Sequence, residues 1–358
     1  MRTVLEAINT FLSGLPERWL FLFVFSFLLS FLLTPLVRYI AVRFKVLDVP
    51  NGRKIHKQPI PLLGGLAIYV SYIITLFLNF SFSRQLKGIV LGGTIIMIMG
   101  IVDDIKHVPA SSKLIIQVLA ALILIGYGVR LDFLPNSWWG RAGEIILTSV
   151  WLVGITNAVN FFDGMDGLAA GLAAICSLSF FVIAHLTGQA YLGFLTIALA
   201  GSSLGFIRYN FKPASVFLGD GGSTFLGFTL AGLAVMGEWA EHNPKVALTL
   251  PILILSVFVF DMVYITISRI LTGTVRNFRD WIEYTGKDHL HHRLVSIGFN
   301  EIQSVVLIYL IAACLGIGGI TLIASLELRT YFVLIQAILM LIIIVVLMLG
   351  SHALNGKK

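Results

Sequence analysis

Apolar runs about as long as a bilayer is thick recur along almost the whole chain, and no other feature constrains its fold as strongly. A span needs about 20 apolar residues to cross roughly 30 Å of hydrocarbon. Within lipid every backbone polar group must be satisfied internally, so such runs fold as helices. The candidate runs are 19–42, 62–80, 87–102, 113–130, 143–160, 167–186, 190–207, 222–237, 246–270, 302–325 and 330–350. The 358 residues are 58% hydrophobic and 12% charged, and the mean hydropathy is +0.94. These values exclude a soluble globular domain. No Ser- or Pro-rich linker and no internal repeat divides the chain. The sequence predicts an all-α polytopic integral membrane protein of about eleven transmembrane helices, built as a single domain over 1–358.

Val4, Leu5, Ile8, Phe11, Leu12 and Leu15 share one helical face, which predicts an interfacial segment over 1–18. The first apolar run is long and no small-residue cleavage site follows it, so no cleaved signal is expected. Cys176 and Cys314 lie in apolar runs and read as buried free thiols. With the N-terminus outside and the spans alternating, the outer segments keep only Arg2, Arg18, Arg84, Lys87, Arg130, Arg141, Lys245 and Arg329 of the 25 Lys and Arg. Positive residues favour the cytoplasm, so the C-terminus is expected inside. The formal charge of +7 is accounted for by this topology and calls for no nucleic acid.

The same alternation carries the acidic residues to one membrane face. Asp103 and Asp104 fall at the inner end of the third run. Asp163 and Asp166 fall in the turn between the fifth and sixth, and Asp220 enters the eighth. One aspartate at a span end is ordinarily a helix cap or a solvated group. Five on one face, with an adjacent pair among them, repel one another and call for a cation. A carboxylate at mid-bilayer costs about 2.5–3.5 kcal/mol, less near the interface. Hard oxygen ligands with no cysteine nearby suit Mg²⁺, with Mn²⁺ as a substitute. Gly164 and Gly167, and Gly219, Gly221 and Gly222, surround these aspartates. They serve either close backbone approach to an anion or tight helix packing. A loop over 271–301 carries His289, His291, His292 and Arg293, readable as a metal site, a phosphate clamp or a solvated loop. An earlier inner loop with Lys54, His56 and Lys57 forms a basic arm over the same face.

Four motifs then occur in order: GIVDD (100–104), NAVNFFDGMDGLAAG (157–171), YNFKPASVFLGDGGS (209–223) and HLHHR (289–293). Together they resemble the polyprenyl-phosphate N-acetylhexosamine-1-phosphate transferases over about Asp48 to Gly298. RKIHKQPIPLLGG (53–65) is most similar to the bacterial undecaprenyl-phosphate GlcNAc-1-phosphate branch. The resemblance implies transfer of N-acetylhexosamine 1-phosphate from a UDP-N-acetylhexosamine to undecaprenyl phosphate. UMP is released, in the first membrane step of a cell-envelope glycan. It implies a bacterial cytoplasmic membrane with the site on its cytoplasmic face, and a homodimer is compatible with it. It further implies Mg²⁺ on Asp220 and Asp163, and Asp103, Asp104 and Asp163 as catalytic carboxylates. Asn160 and Asp166 would lie on the nucleotide side, with Lys57, Asn210 and Phe217 near the uridine. His289, His291, His292 and Arg293 would hold the diphosphate or sugar. The stretch before the histidines, VRNFRDWIEYTGKD (275–288), departs from the commonest form, and sugar choice is expected to depend on it. The alternatives are a phospho-MurNAc-pentapeptide transferase, an intramembrane prenyltransferase, and an ion or metal transporter. A transporter would carry its carboxylates near the midplane.

Overall fold

The computed structural model describes residues 18–50, 58–78, 83–239, 244–277, 280, 281, 284, 286, 288–323, 333, 334, 336–344 and 347. These are almost wholly helical. Among them the only sheet is an antiparallel pair of two-residue strands, β1 (Leu47–Asp48) with β2 (Ile60–Pro61).

The first helix, α1 (Arg18–Arg43), shows how the bundle is built. It buries Leu22, Ser26, Ser30, Thr34, Val37 and Ala41, a stripe of mostly small residues three or four apart. Leu20, Val24, Leu28, Leu32 and Leu36 face outward. Large apolar side chains lose little by facing lipid, whereas small ones let helices approach. The partner is α7 (Ala190–Asn210). There Gly201 and Gly205 lie against the Phe23 and Phe27 backbone, with no room for a Cβ.

At the centre stands α8 (Gly219–Met236), buried on nearly every side. It packs against α2 (Gly64–Phe77), α3 (Arg84–Lys106), α5 (Trp138–Phe162) and α6 (Leu168–Leu186). Glycines make these contacts possible: Gly221 meets Gly100 of α3, Gly222 meets Gly65 of α2, and Gly227 meets Thr156 of α5. Two backbone bonds seat α2 beside the entry to α8. The Gly64 and Gly65 N–H groups donate to the Phe217 and Leu218 carbonyls at 2.9 and 2.8 Å.

The described helices match part of the expected set of spans. Among the described residues six helices are long and apolar enough to cross a membrane: α1, α3, α5, α6, α7 and α12 (Glu301–Ile323). The run expected over 246–270 is a bent pair, α9 (Pro244–Ile254) and α10 (Ser256–Leu271), turned by 81° at Leu255. Pro251 inside α9 has no N–H to give its helix. Counting that pair as one span gives seven among the described residues, against the eleven expected runs. The shortfall has a physical cause. The helices α2 and α4 (Ala110–Gly126) are apolar, but at 14 and 17 residues they reach only about 21 and 26 Å. The central α8 is diluted by glycine, serine and threonine. Most of the expected interfacial segment 1–18 lies outside the described residues, and the run 330–350 is described only in part.

Candidate active site

The site is assembled around the first residues of α8. Gly219 turns the chain into the helix with φ of +77°. Asp104, in the last turn of α3, then accepts the Asp220 N–H at 2.8 Å on one carboxylate oxygen and the Gly221 N–H at 3.3 Å on the other. The first amides of a helix have no intrahelical acceptor and sit at the positive end of its dipole. A carboxylate from a neighbouring helix therefore caps α8. At Gly219 a Cβ would run into that carboxylate.

Asp103 points to the other side of the same turn and is buried. It accepts the Val108 N–H at 2.7 Å and pairs with Lys113 of α4. Lys113 also reaches Asp220 at 3.2 Å, so one ammonium joins both carboxylates. From α5, Asn160 donates to Asp220 at 3.1 Å and to Ser223 at 2.8 Å. One turn deeper, Gln117 and Asn157 exchange two amide hydrogen bonds of 2.7 and 3.2 Å. This pair fixes α4 against α5 and hence Lys113 relative to Asn160.

The turn from α5 into α6 supplies the second group of carboxylates. Asp166 accepts the Ala214 N–H at 2.9 Å. Gly167 has φ of +81° and is held at both ends. Its N–H donates to Asn210 Oδ1 at 3.1 Å, and its carbonyl accepts from the Tyr309 hydroxyl. Asn210 completes the clasp by donating to the Val216 carbonyl at 3.0 Å. Asp163 differs, because its carboxylate makes no hydrogen bond or ion pair among the described residues. Burial, and then the charges of Asp220, Asp104 and Asp166, push its pKa well above the ordinary carboxylate range.

These groups line a cavity of about 710 Å³. Asp103, Asp104, Asn160, Asp163, Asp166, Asn210, Phe217, Asp220 and His292 all reach its wall. So do Asp48, His107, Lys212 and Glu301, which sequence reasoning did not single out. In the sequence Lys113 is one basic residue among many, and Tyr309 stands in an apolar run. Lys57 lies outside the described residues.

The histidine loop is divided. Only His292 lines the cavity. His289 bonds Asp261 of α10 at 2.7 Å through Nδ1, and the Leu290 N–H donates to the same carboxylate at 2.8 Å. This starts α11 (Leu290–Ser296). Arg293 donates to the Asp288 carbonyl at 2.6 Å and lies over the Tyr264 ring. His291 is fully buried against Gly164, and neither ring nitrogen has a partner among the described residues. Burial, with His292 and His289 beside it, holds its pKa well below the usual imidazole value. Here His289 and Arg293 anchor the loop and His291 packs within it, while His292 faces the cavity.

Among the described residues no three His, Cys, Asp or Glu side chains are arranged to hold a metal alone. Mg²⁺ does not need such a cage, since it takes one or two carboxylates, waters and substrate phosphates. The unpartnered Asp163 and the half-exposed Asp220 carboxylate fit that requirement, with oxygen donors only.

Comparison with known proteins agrees with the motif order. The family model "Glycosyl transferase family 4" matches residues 86–238. A probable undecaprenyl-phosphate N-acetylglucosaminyl 1-phosphate transferase of Bacillus subtilis is 35% identical, covering 90% of each chain. The chain belongs to this family. A decaprenyl-phosphate N-acetylglucosaminephosphotransferase of Mycolicibacterium smegmatis is 30% identical over 97% of this chain and 92% of its own. An undecaprenyl-phosphate alpha-N-acetylglucosaminyl 1-phosphate transferase of Escherichia coli K12 is 28% identical over 82% and 81%. The family match spans α3 to α8, which carry Asp103, Asp104, Asn160 and Asp220 and include the turn with Asp163 and Asp166.

The electrostatics of Asp163 give a prediction. A carboxyl pKa raised in the folded state favours folding when protonated. The stability contribution is fully present below the unfolded value, about 3.9, and is lost as pH rises through the folded one. Asp163→Asn should therefore raise the Tm of the chelator-treated protein at pH 7.5 by about 2 °C or more. The gain should shrink towards pH 4. An unchanged or lowered Tm at pH 7.5 would show that Asp163 is not held against its own charge.

Proposed function

We propose that the chain transfers N-acetylglucosamine 1-phosphate from UDP-N-acetylglucosamine to undecaprenyl phosphate, at the cytoplasmic face of a bacterial cytoplasmic membrane. The observation that carries the reading is the acid-lined cavity where α3, α5 and α8 meet, in a chain whose relatives are named for this transfer. An oxygen of the lipid phosphate attacks the β-phosphorus of the nucleotide sugar. The bond from that phosphorus to the bridging oxygen breaks, and UMP leaves with the electron pair. Phosphoryl transfer of this kind needs mostly positioning and charge neutralisation.

Mg²⁺, held by Asp220 and Asp163, would neutralise phosphate charge when bound. The chain's own residues do the rest. Asp104 fixes the start of α8 and so the position of Asp220. Asn160 orients the Asp220 carboxylate, and Lys113 offsets Asp103 and Asp220 together. By the family resemblance, Asp103 and Asp104 would sit near the lipid phosphate. No proton is assigned to either Asp103 or Asp104. The clasp on Gly167 by Asn210 and Tyr309 holds the turn carrying Asp163 and Asp166. His292 is the member of its loop suited to donate to the sugar or diphosphate.

A panel of UDP-sugars with undecaprenyl phosphate, in detergent with Mg²⁺, tests the activity by following the lipid product. UDP-N-acetylglucosamine should be the preferred donor. Asp220→Asn keeps the shape and removes the charge, so it should lower kcat by about 100-fold or more. Product from no UDP-sugar, or a near-normal rate for Asp220→Asn, would refute the reading or its metal assignment respectively.

The orientation rests on the bias of Lys and Arg. A cysteine at Lys106 should be labelled only from the cytoplasmic side, and one at Ser137 only from outside. The reverse labelling would overturn the cytoplasmic site.

A further inference from the structure

Two lysines touch the acidic cluster or its cavity among the described residues, and they are held differently. Lys113 sits between Asp103 and Asp220, so its charge is shared by two carboxylates of the site itself. Lys212 lines the cavity from the connection between α7 and α8, near Asp166 and Phe217. It pairs with Glu301, the first residue of α12, which also lines the cavity. The ion pair therefore joins two separate elements across the cavity wall.

Neither partner needs the other for its own stability. The Glu301 side chain is 20% exposed and that of Lys212 is 34% exposed, so water reaches both. A partly buried pair that water still reaches contributes less than a fully buried one. Glu301 lies in the first turn of α12, where the helix dipole favours a negative charge. It is not required as the cap, because Asn300 and Gln303 already exchange backbone-to-side-chain bonds of 2.9 and 2.8 Å. Released from Lys212, Glu301 remains solvated and dipole-stabilised.

A diphosphate entering this cavity meets the carboxylates of Asp48, Asp103, Asp104, Asp163, Asp166 and Asp220. An anion there requires a cation able to leave its partner at low cost. We propose that the Lys212–Glu301 pair is a latch, and that Lys212 exchanges Glu301 for the diphosphate oxygens of the nucleotide substrate. Glu301 then acts as a competitor for Lys212 in the empty site and sets the affinity for nucleotide. This rests on the nucleotide-sugar reading above.

The roles of the two residues have opposite signs, which a structural ion pair would not produce. The test is binding of UDP, and separately of UDP-N-acetylglucosamine, to the full chain in detergent with Mg²⁺, by calorimetry. Lys212→Met should weaken Kd about tenfold, as expected for loss of a charge-assisted bond. Glu301→Gln should tighten Kd severalfold, because the competing charge is gone. The double variant should resemble Lys212→Met. If both single variants weaken binding alike, or lower Tm with Kd unchanged, the pair is structural and the latch is refuted. If the wild type binds neither UDP nor the UDP-sugar, the nucleotide-sugar reading itself fails.

Discussion

The bond from Asp104 to the first amides of α8 is the interaction on which the rest of the site depends. Buried amides without an acceptor cost about 1–3 kcal/mol each, and α8 is buried on nearly every side. Asp104 satisfies two of them from another helix. That arrangement requires α3 to touch α8, which Gly100 against Gly221 allows. Gly65 against Gly222 brings α2 to the same point, and with it the short sheet and Phe217 at the cavity rim. Close glycine packing and the chemistry of the site are thus one construction. The sequence left open whether these glycines serve an anion or helix packing, and at Gly221 and Gly222 the structure shows packing.

Each carboxylate of the cluster has its own solution to the cost of burial. Asp103 has Lys113 and the Val108 amide, Asp104 has helix amides, and Asp166 has the Ala214 amide. Asp220 has Asn160 and a share of Lys113. Asp163 alone is left without a bonded partner among the described residues. An unsatisfied carboxylate beside three others marks where a divalent cation would lower the energy most. On the proposed reading, a metal and substrate phosphate would complete the cluster, in place of a preformed cage.

The acidic face was legible because charged residues stand out against an apolar chain, and their spacing fixes which end of a helix they occupy. Asp103 and Asp104 fell where expected, in the last turn of α3, which extends past its apolar run at both ends. Span number was not legible to the same degree. Hydropathy does not separate a crossing helix from a short buried one such as α2, nor reveal the 81° bend beyond Pro251. The histidine loop shows a different limit. The sequence displays donors but not their direction, so His289 and Arg293 read as substrate contacts although they bond Asp261 and the Asp288 backbone. Tyr309 gave no signal, since one tyrosine in an apolar run is ordinary until its hydroxyl is seen on Gly167.

The central claim is that one divalent ion completes the carboxylate cluster together with substrate phosphate. Electron paramagnetic resonance of Mn²⁺ with the purified full-length chain, with and without UDP, tests it independently of turnover. The account predicts one bound Mn²⁺ per chain, tightened by UDP, coupled to phosphorus, and lost in Asp220→Asn. Binding that is absent, or unchanged by UDP and by Asp220→Asn, would contradict it.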